Sequence, residues 1–404
     1  MLSYSDARQK VIEVARDLEH PLRRDSIEIE NVYGRVLASE VRADRDYPPF
    51  DRATRDGFAV RAANLAQPGA RLTCIGELRA GGSIDASVGA RQCVEIMTGA
   101  SVPDGADAVV MVEYSRREGD MIAFDRGSHT GENIVPRGSE ALSGDLLIAP
   151  GTRMGYAETA LAAQAGATRL EVFATPRVAI LSTGDEVVDA RSAPGPLQVR
   201  NSNGVAIEVL ARTAGAETIQ LGNAPDEMAA LRKAIERGLD ADILILSGGV
   251  SMGKYDLVEK VLSELGAQFH FTGVAIRPGR PAVFAVCRGK LVFGLPGNPV
   301  STMVTFELFV LPAIDLLGGA VPRPVPILRA KLAAPVHEKG SLVRFLPARI
   351  EWVGREAHVT QLLWQGSSDI VTLAAANGYL VVGPEEFEGA AGDWVDVLPR
   401  RGAL

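Results

Sequence analysis

Between positions 177 and 317 the sequence alternates short runs of apolar, mostly β-branched residues with amphipathic stretches, and few folds accept that rhythm. RVAILST, ETIQLGN and ADILILSGG have the composition and length of strands. Helical spacing occupies residues 203–214, 226–238 and 256–265 between and after them. HFTGVAI, PAVFAV and LVFGLPG read as further strands, and residues 299–317 as a long final helix. Strands separated by helices of roughly 10–15 residues predict parallel βαβ units with helices on both faces of one sheet.

The flanking regions have other textures. Residues 5–20 show helical spacing in Ala7, Val11, Val14, Ala15 and Leu18, and residues 31–39 read as a second short helix. From about residue 44 to 138 the apolar runs are short and broken by Gly, Pro and Asp, the pattern of a compact β domain. A helix is expected again over residues 156–165. After the proline-rich joint AVPRPVPILRA, the last 75 or so residues return to alternation at a typical strand spacing, a small β module.

A chain of 404 residues is long enough for two to four domains with real cores. Its net charge of -8 and pI near 5.4 argue against a nucleic-acid binder, so an anionic ligand needs a local cationic cluster. Cys74, Cys93 and Cys287 are odd in number and widely spaced, so neither a disulfide framework nor a CxxC metal site is expected. The amino terminus lacks the apolar core of a signal peptide, and no stretch approaches about 18 uninterrupted apolar residues. The expectation is a cytoplasmic protein without a membrane span.

In open α/β sheets ligands bind beyond the carboxyl ends of the strands, which singles out four loops. Ser182-Thr183-Gly184-Asp185-Glu186 places two carboxylates beside a glycine, a Mg²⁺ site or a capped turn. Residues 247–256, SGGVSMGKYD, let backbone N–H groups converge on an anion. Gly248 to Lys254 satisfies G-x-x-x-x-G-K, but Tyr255 stands where a P-loop needs Ser or Thr for its metal. Asp256 is either the N-cap of the next helix or a ligand for metal or a substrate hydroxyl. Arg277-Pro278-Gly279-Arg280 holds two guanidinium forks suited to phosphate or another oxyanion. Gly294-Leu295-Pro296-Gly297-Asn298-Pro299 starts the last helix with Asn298 as N-cap and Pro299 at the first helical position.

Six motifs in order, PPFDRATRDGFAV, EIMTGASVPDGADAVVMVE, ILSTGDEVV, SGGVSMGKYDLV, AIRPGRP and GLPGNPVS, strongly resemble the MoeA-type molybdopterin molybdenumtransferases. These are the molybdenum insertases that include the gephyrin E domain, and the likeness covers essentially the whole chain. It implies a multidomain α/β and β fold. An elongated helical domain would comprise residues 1–43 plus 139–174, a β insert 44–138, and a MoaB/Mog-like, molybdopterin-binding α/β domain 175–320. A small β-barrel would follow at 325–404. The implied reaction inserts molybdate into adenylylated molybdopterin and cleaves its pyrophosphate with Mg²⁺ present, releasing AMP and molybdenum cofactor.

The resemblance further implies a homodimer, and transient contact with a molybdopterin adenylyltransferase and with molybdoenzyme acceptors. Residue by residue, it places catalytic roles on Asp56, Thr98, Glu186, Asp226 and Asp256, with Glu186 and Asp256 on the metal. Substrate and anion contacts fall on Gly248, Gly249, Ser251, Arg277, Arg280, Pro296, Asn298, Pro299 and Ser367. Asp56 and Thr98 would reach the pocket of the partner subunit. Three departures stand out: Arg52-Ala53-Thr54-Arg55 and Phe58 in the first motif, Arg277 where lysine is usual, and Gly340-Ser341 with Arg344 displaced along its strand. Two rival readings remain, an adenylyltransferase sharing the α/β fold and a non-catalytic molybdopterin-binding scaffold.

Overall fold

Strands Arg177–Thr183, Ile243–Ser247 and Lys290–Leu295 are apolar on both faces, and all three lie in the middle of one six-stranded sheet. In this computed structural model, which describes residues 1–18, 22–249 and 257–402, the sheet begins with Glu217–Ala224 and continues through those three strands. It ends with Val283–Cys287 and Gln268–Phe271. The first four strands are parallel, and Val283–Cys287 runs antiparallel to both its neighbours. Ile243 and Ile245 point into one core while Leu244 and Leu246 point into another on the opposite face, so helices cover both sides as the alternation requires.

The long last helix runs Pro299–Thr305, then a π-helical turn Phe306–Val310, then Leu311–Leu317. Pro312 has no N–H for the carbonyl one turn back, and the helix widens just before it. The span Pro299–Leu317 is long and apolar enough to cross a membrane, yet 83% of its most apolar window is buried within the fold. A helix that is apolar all round is a core helix when protein surrounds it. Its Asp315, fully buried, accepts hydrogen bonds from Arg153 Nη2 at 3.1 Å and from the backbone N–H and Nε of Arg323, both at 3.0 Å. Arg323 lies in the proline-rich joint, so this carboxylate ties the last helix to the joint and to the segment carrying Arg153.

The opening helix, Tyr4–Asp17, is capped by Ser3, whose hydroxyl accepts from the Asp6 N–H at 3.1 Å. Ala7, Val11 and Ala15 enter the same core as Val178 and Phe309, so this helix packs on the α/β layer rather than with the rest of residues 1–43. No helix forms over residues 31–39. A 3₁₀ turn covers Ile29–Asn31, Gly34 takes φ +77°, and the N–H groups of Gly34 and Leu37 bond to the carbonyls of Met154 and Thr152. Backbone groups committed to a distant segment are lost to a helical ladder. Around them, Arg24–Glu28 pairs with Arg169–Phe173, Val41–Arg42 pairs with Leu146–Ile148, and the helix Tyr156–Gln164 packs nearby.

The insert carries a six-stranded sheet in the order Ala108–Met111, Gly57–Val60, Gln92–Ile96, Arg71–Leu78, Met121–Phe124, Ser115–Glu118. Only the Arg71–Leu78 and Gln92–Ile96 pair is parallel. Gly57 is required where it stands, since a Cβ there would lie 1.9 Å from the Val110 carbonyl oxygen. At the carboxyl end, Val343–Val353, Glu356–Gln361, Leu328–Leu332, Trp394–Pro399 and Gly378–Val382 close on themselves as a five-stranded barrel. A two-residue strand of the α/β domain, Ile276–Arg277, adds to it in parallel, Ile276 opposite Val343 and Arg277 opposite Arg344.

Removing the buried carboxylate leaves two arginines without their shared partner. Asp315→Ala is expected to lower stability by on the order of 2–3 kcal/mol, read as an earlier urea midpoint; an unchanged midpoint would show that the joint does not depend on this contact.

Candidate active site

The carboxyl ends of the parallel strands stop in register, with Ser182 opposite Ser247 and Ser247 opposite Leu295. Beyond them lies a cavity of about 1410 Å³, walled on one side by the α/β loops and on the other by Leu342 and residues 364–368 of the carboxyl-terminal domain. Glycine shapes its floor. Gly248 and Gly249 take φ +94° and +61°, and a Cβ on either would come within 2.7 Å of Thr183, at its carbonyl oxygen and at Oγ1 respectively. A Cβ on Gly297 would lie 3.6 Å from the Cα of Gly248, in van der Waals contact with it. The Gly248 N–H is committed to the Leu295 carbonyl at 3.2 Å, so what the glycines provide here is close approach of a ligand to the backbone rather than a free Gly248 donor.

Arg277 and Arg280 also line the cavity, both are exposed, and neither guanidinium has a hydrogen-bonded or ion-paired partner among the described residues. Gly279 between them has φ +113° and sits against Thr305 of the last helix. Most other arginines of the chain are committed to carboxylates, so two unpaired guanidiniums in one cavity form a cationic site inside an acidic protein.

Other lining residues are acidic. Glu186 and Asp226 line the cavity, and Asp185 accepts from the Asp226 N–H at 3.1 Å. Partial burial and then the like charges of Asp185 and Glu186 raise the pKa of Asp226. Carboxylates gathered in this way fit a divalent cation, which relieves the repulsion on Asp226 and accepts oxygen ligands. Among the described residues, the His/Cys/Asp/Glu trio whose ligand atoms lie within 4.8 Å of one another is His337, Glu386 and Glu388. It is exposed on the carboxyl-terminal domain, and its histidine turns different ring nitrogens to the two carboxylates, as in an ion-pair cluster.

Helix Ser202–Ala214 points its amino terminus at the cavity. Asn201 caps it by accepting from the Gly204 N–H at 2.8 Å, and Ser182 donates to the same oxygen at 3.0 Å. Asn203 donates to Ser247 Oγ at 3.0 Å and to the Gly297 carbonyl at 2.7 Å, which orients its amide. Its Oδ1 and the Thr183 hydroxyl are buried and have no partner among the described residues, and both residues line the cavity. An unmet polar atom at the floor of a cavity is costly unless a ligand supplies the bond.

Asn298 occupies the N-cap position with Pro299 after it, yet its side chain does not cap. It donates instead to Ser367 Oγ at 2.8 Å, while the Val300 N–H donates to the Ser367 carbonyl at 3.0 Å. Both bonds cross between the α/β and carboxyl-terminal domains.

Family models describe the chain almost end to end: the MoeA N-terminal region (domain I and II) over residues 2–166, a probable molybdopterin binding domain over 179–316, and the MoeA C-terminal region (domain IV) over 329–399. A molybdopterin molybdenumtransferase of Bacillus subtilis (strain 168) is 34% identical over 88% of this chain and 85% of its own length. The chain belongs to the MoeA family. A second relative of that name, from Nostoc sp., is 32% identical over 95% of this chain and 90% of its own. Two solved MoeA molybdopterin biosynthesis proteins of Pyrococcus horikoshii superpose with TM-scores of 0.78 and 0.83 at 31% and 26% identity. They cover 98% and 99% of this chain, and 99% and 100% of their own.

Within this MoeA fold, ten of the residues expected at the site share the one cavity. Glu186, Asp226, Gly248, Gly249, Arg277 and Arg280 line it, as do Pro296, Asn298, Pro299 and Ser367. Asp256 and Ser251 lie outside the described residues. Asp56 and Thr98 are brought to each other instead: the Thr98 N–H and hydroxyl both donate to Asp56 Oδ1 at 2.7 Å, bonds that hold the Asp56 carboxyl below its ordinary pKa. Neither belongs to the cavity wall of its own chain. Arg344 is 2% exposed and donates to the carbonyls of Gly383 and Glu385, so it supports the barrel rather than facing the cavity. Sequence reasoning missed Asn203 and Trp364, which also line it. The Asn-Ser-Asn helix start signals Asn203; a lone tryptophan in a loop gives no comparable signal.

A carboxyl whose folded pKa is raised weakens the fold where it is ionised, and the penalty disappears once both folded and unfolded chains hold the proton. In metal-free buffer Asp226→Asn is therefore expected to raise the thermal midpoint near pH 7 and to leave it unchanged near pH 3. A midpoint that falls at neutral pH would contradict the repulsion.

Proposed function

We propose that this chain is a molybdopterin molybdenumtransferase: it takes adenylylated molybdopterin and molybdate, cleaves the pyrophosphate and releases AMP and molybdenum cofactor. The observation that carries the reading is one cavity lined by two arginines whose guanidiniums have no partner among the described residues, by a glycine turn and by carboxylates. A pyrophosphate and a tetrahedral oxyanion need the first two, and metal-assisted cleavage needs the third. The names of the relatives support the same assignment.

On this reading Arg277 and Arg280 hold the substrate's anionic groups as fixed forks, and the side-chain-free turn at Gly248 and Gly249 leaves room for phosphate oxygens to lie against the backbone. Asn203 Oδ1 offers the floor an acceptor for pterin N–H donors. Glu186 and Asp226, with Asp256, would hold Mg²⁺, which supplies charge neutralisation at the scissile phosphate when bound. Arg277 in place of the family's usual lysine presents a planar fork rather than a point charge to the oxyanion. Asp56 and Thr98 act in the cavity of a second subunit of a homodimer. Their exposure and their position away from their own cavity support that arrangement.

Two assays separate this reading from its rivals. Purified protein given adenylylated molybdopterin and molybdate should release AMP; no AMP would leave only the scaffold reading. Given molybdopterin, Mg·ATP and no molybdate, it should not accumulate the adenylylated pterin; accumulation would favour the adenylyltransferase. Arg280→Ala should lower kcat/KM for AMP release on the order of 100-fold, and Arg277→Lys should lose much less than Arg277→Ala. Asp256→Asn should lower AMP release far more than stability; equal loss of both would reduce Asp256 to a helix cap.

A further inference from the structure

Three free cysteines are present, and two of them are neighbours. Cys74 on strand Arg71–Leu78 pairs directly with Cys93 on the parallel strand Gln92–Ile96. Residues paired across adjacent strands lie roughly 4.7–4.9 Å apart and share one face of the sheet, inside the Cα window of about 4.4–6.8 Å that a disulfide spans. Both face the core built on Phe58, Val60 and Ile122, with Cys93 fully buried within it and Cys74 half-buried at its margin. The pairing slips into a bulge immediately after Cys74, between it and Glu77, which leaves the backbone around this cysteine less constrained than a regular ladder.

A donor completes the group. Arg117 Nη2 donates to Cys74 Sγ at 3.9 Å, and the same guanidinium pairs with Glu95 and lies over the Phe58 ring, 5.9 Å from its centroid. Arg117 is therefore held in place beside the more accessible of the two sulfurs. The proposed transferase chemistry makes no use of these thiols.

We propose that Cys74 and Cys93 are a peroxide-responsive dithiol, with Cys74 the sulfur that is oxidised first and Cys93 the one that resolves it. Cys74 thiolate attacks hydrogen peroxide; the O–O bond breaks, an S–O bond forms, and hydroxide leaves, taking up the thiol's proton as water. Arg117 donates a hydrogen bond where negative charge develops in that step. Cys93 then attacks the Cys74 sulfur, the S–O bond breaks, and the departing hydroxide takes the Cys93 proton. Two thiols and one peroxide yield one disulfide and two waters. The order follows from burial: Cys93 is enclosed and its thiol is pushed up to about 12, first by desolvation and then by the neighbouring Cys74, so it does not meet peroxide as a thiolate. Cys287 is also buried and has no thiol beside it.

The test is peptide mapping of the full chain after exposure to hydrogen peroxide and alkylation of the remaining thiols. The expected product is one intrachain Cys74–Cys93 link, reversed by dithiothreitol, with Cys287 still alkylated after unfolding. Cys74→Ser should abolish the link, and Cys93→Ala should leave Cys74 as a sulfenic acid that dimedone captures. Arg117→Ala should slow oxidation several-fold and Arg117→Lys should recover part of the rate, with circular dichroism verifying that every variant is folded. Dimedone capture of Cys74 in the unaltered chain without cross-linking would overturn the proposal. So would a disulfide between two chains, or a Cys74 that stays reduced in the folded protein while Cys287 oxidises.

Discussion

The two-residue ladder between Ile276–Arg277 and Val343–Arg344 fixes the geometry on which the cavity depends. The chain leaves the α/β layer, pairs with the barrel for two residues, turns through Pro278 and Gly279 against the last helix, and returns. Arg277 is placed by the barrel's backbone, Arg280 by the turn that follows, and the two cations therefore mark the seam between domains. The Asn298–Ser367 contact closes the same seam from the helix side. A cavity built this way is rigid only while both domains are in contact, which explains why so much polar bonding crosses between them. Asp315 and Arg323 secure the joint on the far side of the same helix.

Much of this could be read from residue order. The βαβ rhythm specified a parallel sheet because strands buried on both faces must be apolar throughout, and the glycine loops after them marked where a ligand fits. Ten site residues fall in one cavity for that reason. What escaped was set by distant partners. Asn298 has every local feature of a capping residue, but Ser367, 69 positions later, takes its side chain. Residues 31–39 have helical composition, but their N–H groups are claimed by residues 152 and 154. The opening helix was recognised from its spacing, while its destination on the α/β core depended on apolar surface contributed by the last helix.

The charge balance shows a similar division between global and local effects. A net charge of -8 describes the surface, where arginines and carboxylates are largely engaged with one another. The cavity departs from that neutralised surface in both directions, with two arginines whose guanidiniums lack partners among the described residues and with Asp226 close to Asp185 and Glu186. The crowding disfavours the ionised form of Asp226, and such local conflict is characteristic of sites selected for binding rather than for folding.

The insert is joined to the rest of the chain by a narrow stem. Val41–Arg42 pairs with Leu146–Ile148, and just beyond, Tyr47 bridges Ala141, so the strand entering the insert and the strand leaving it lie side by side. Everything between them behaves as a cassette: a tight turn in its place would rejoin the two halves without moving the cavity's α/β walls. Such an arrangement lets evolution lengthen, exchange or retune the insert while the α/β pocket keeps its shape.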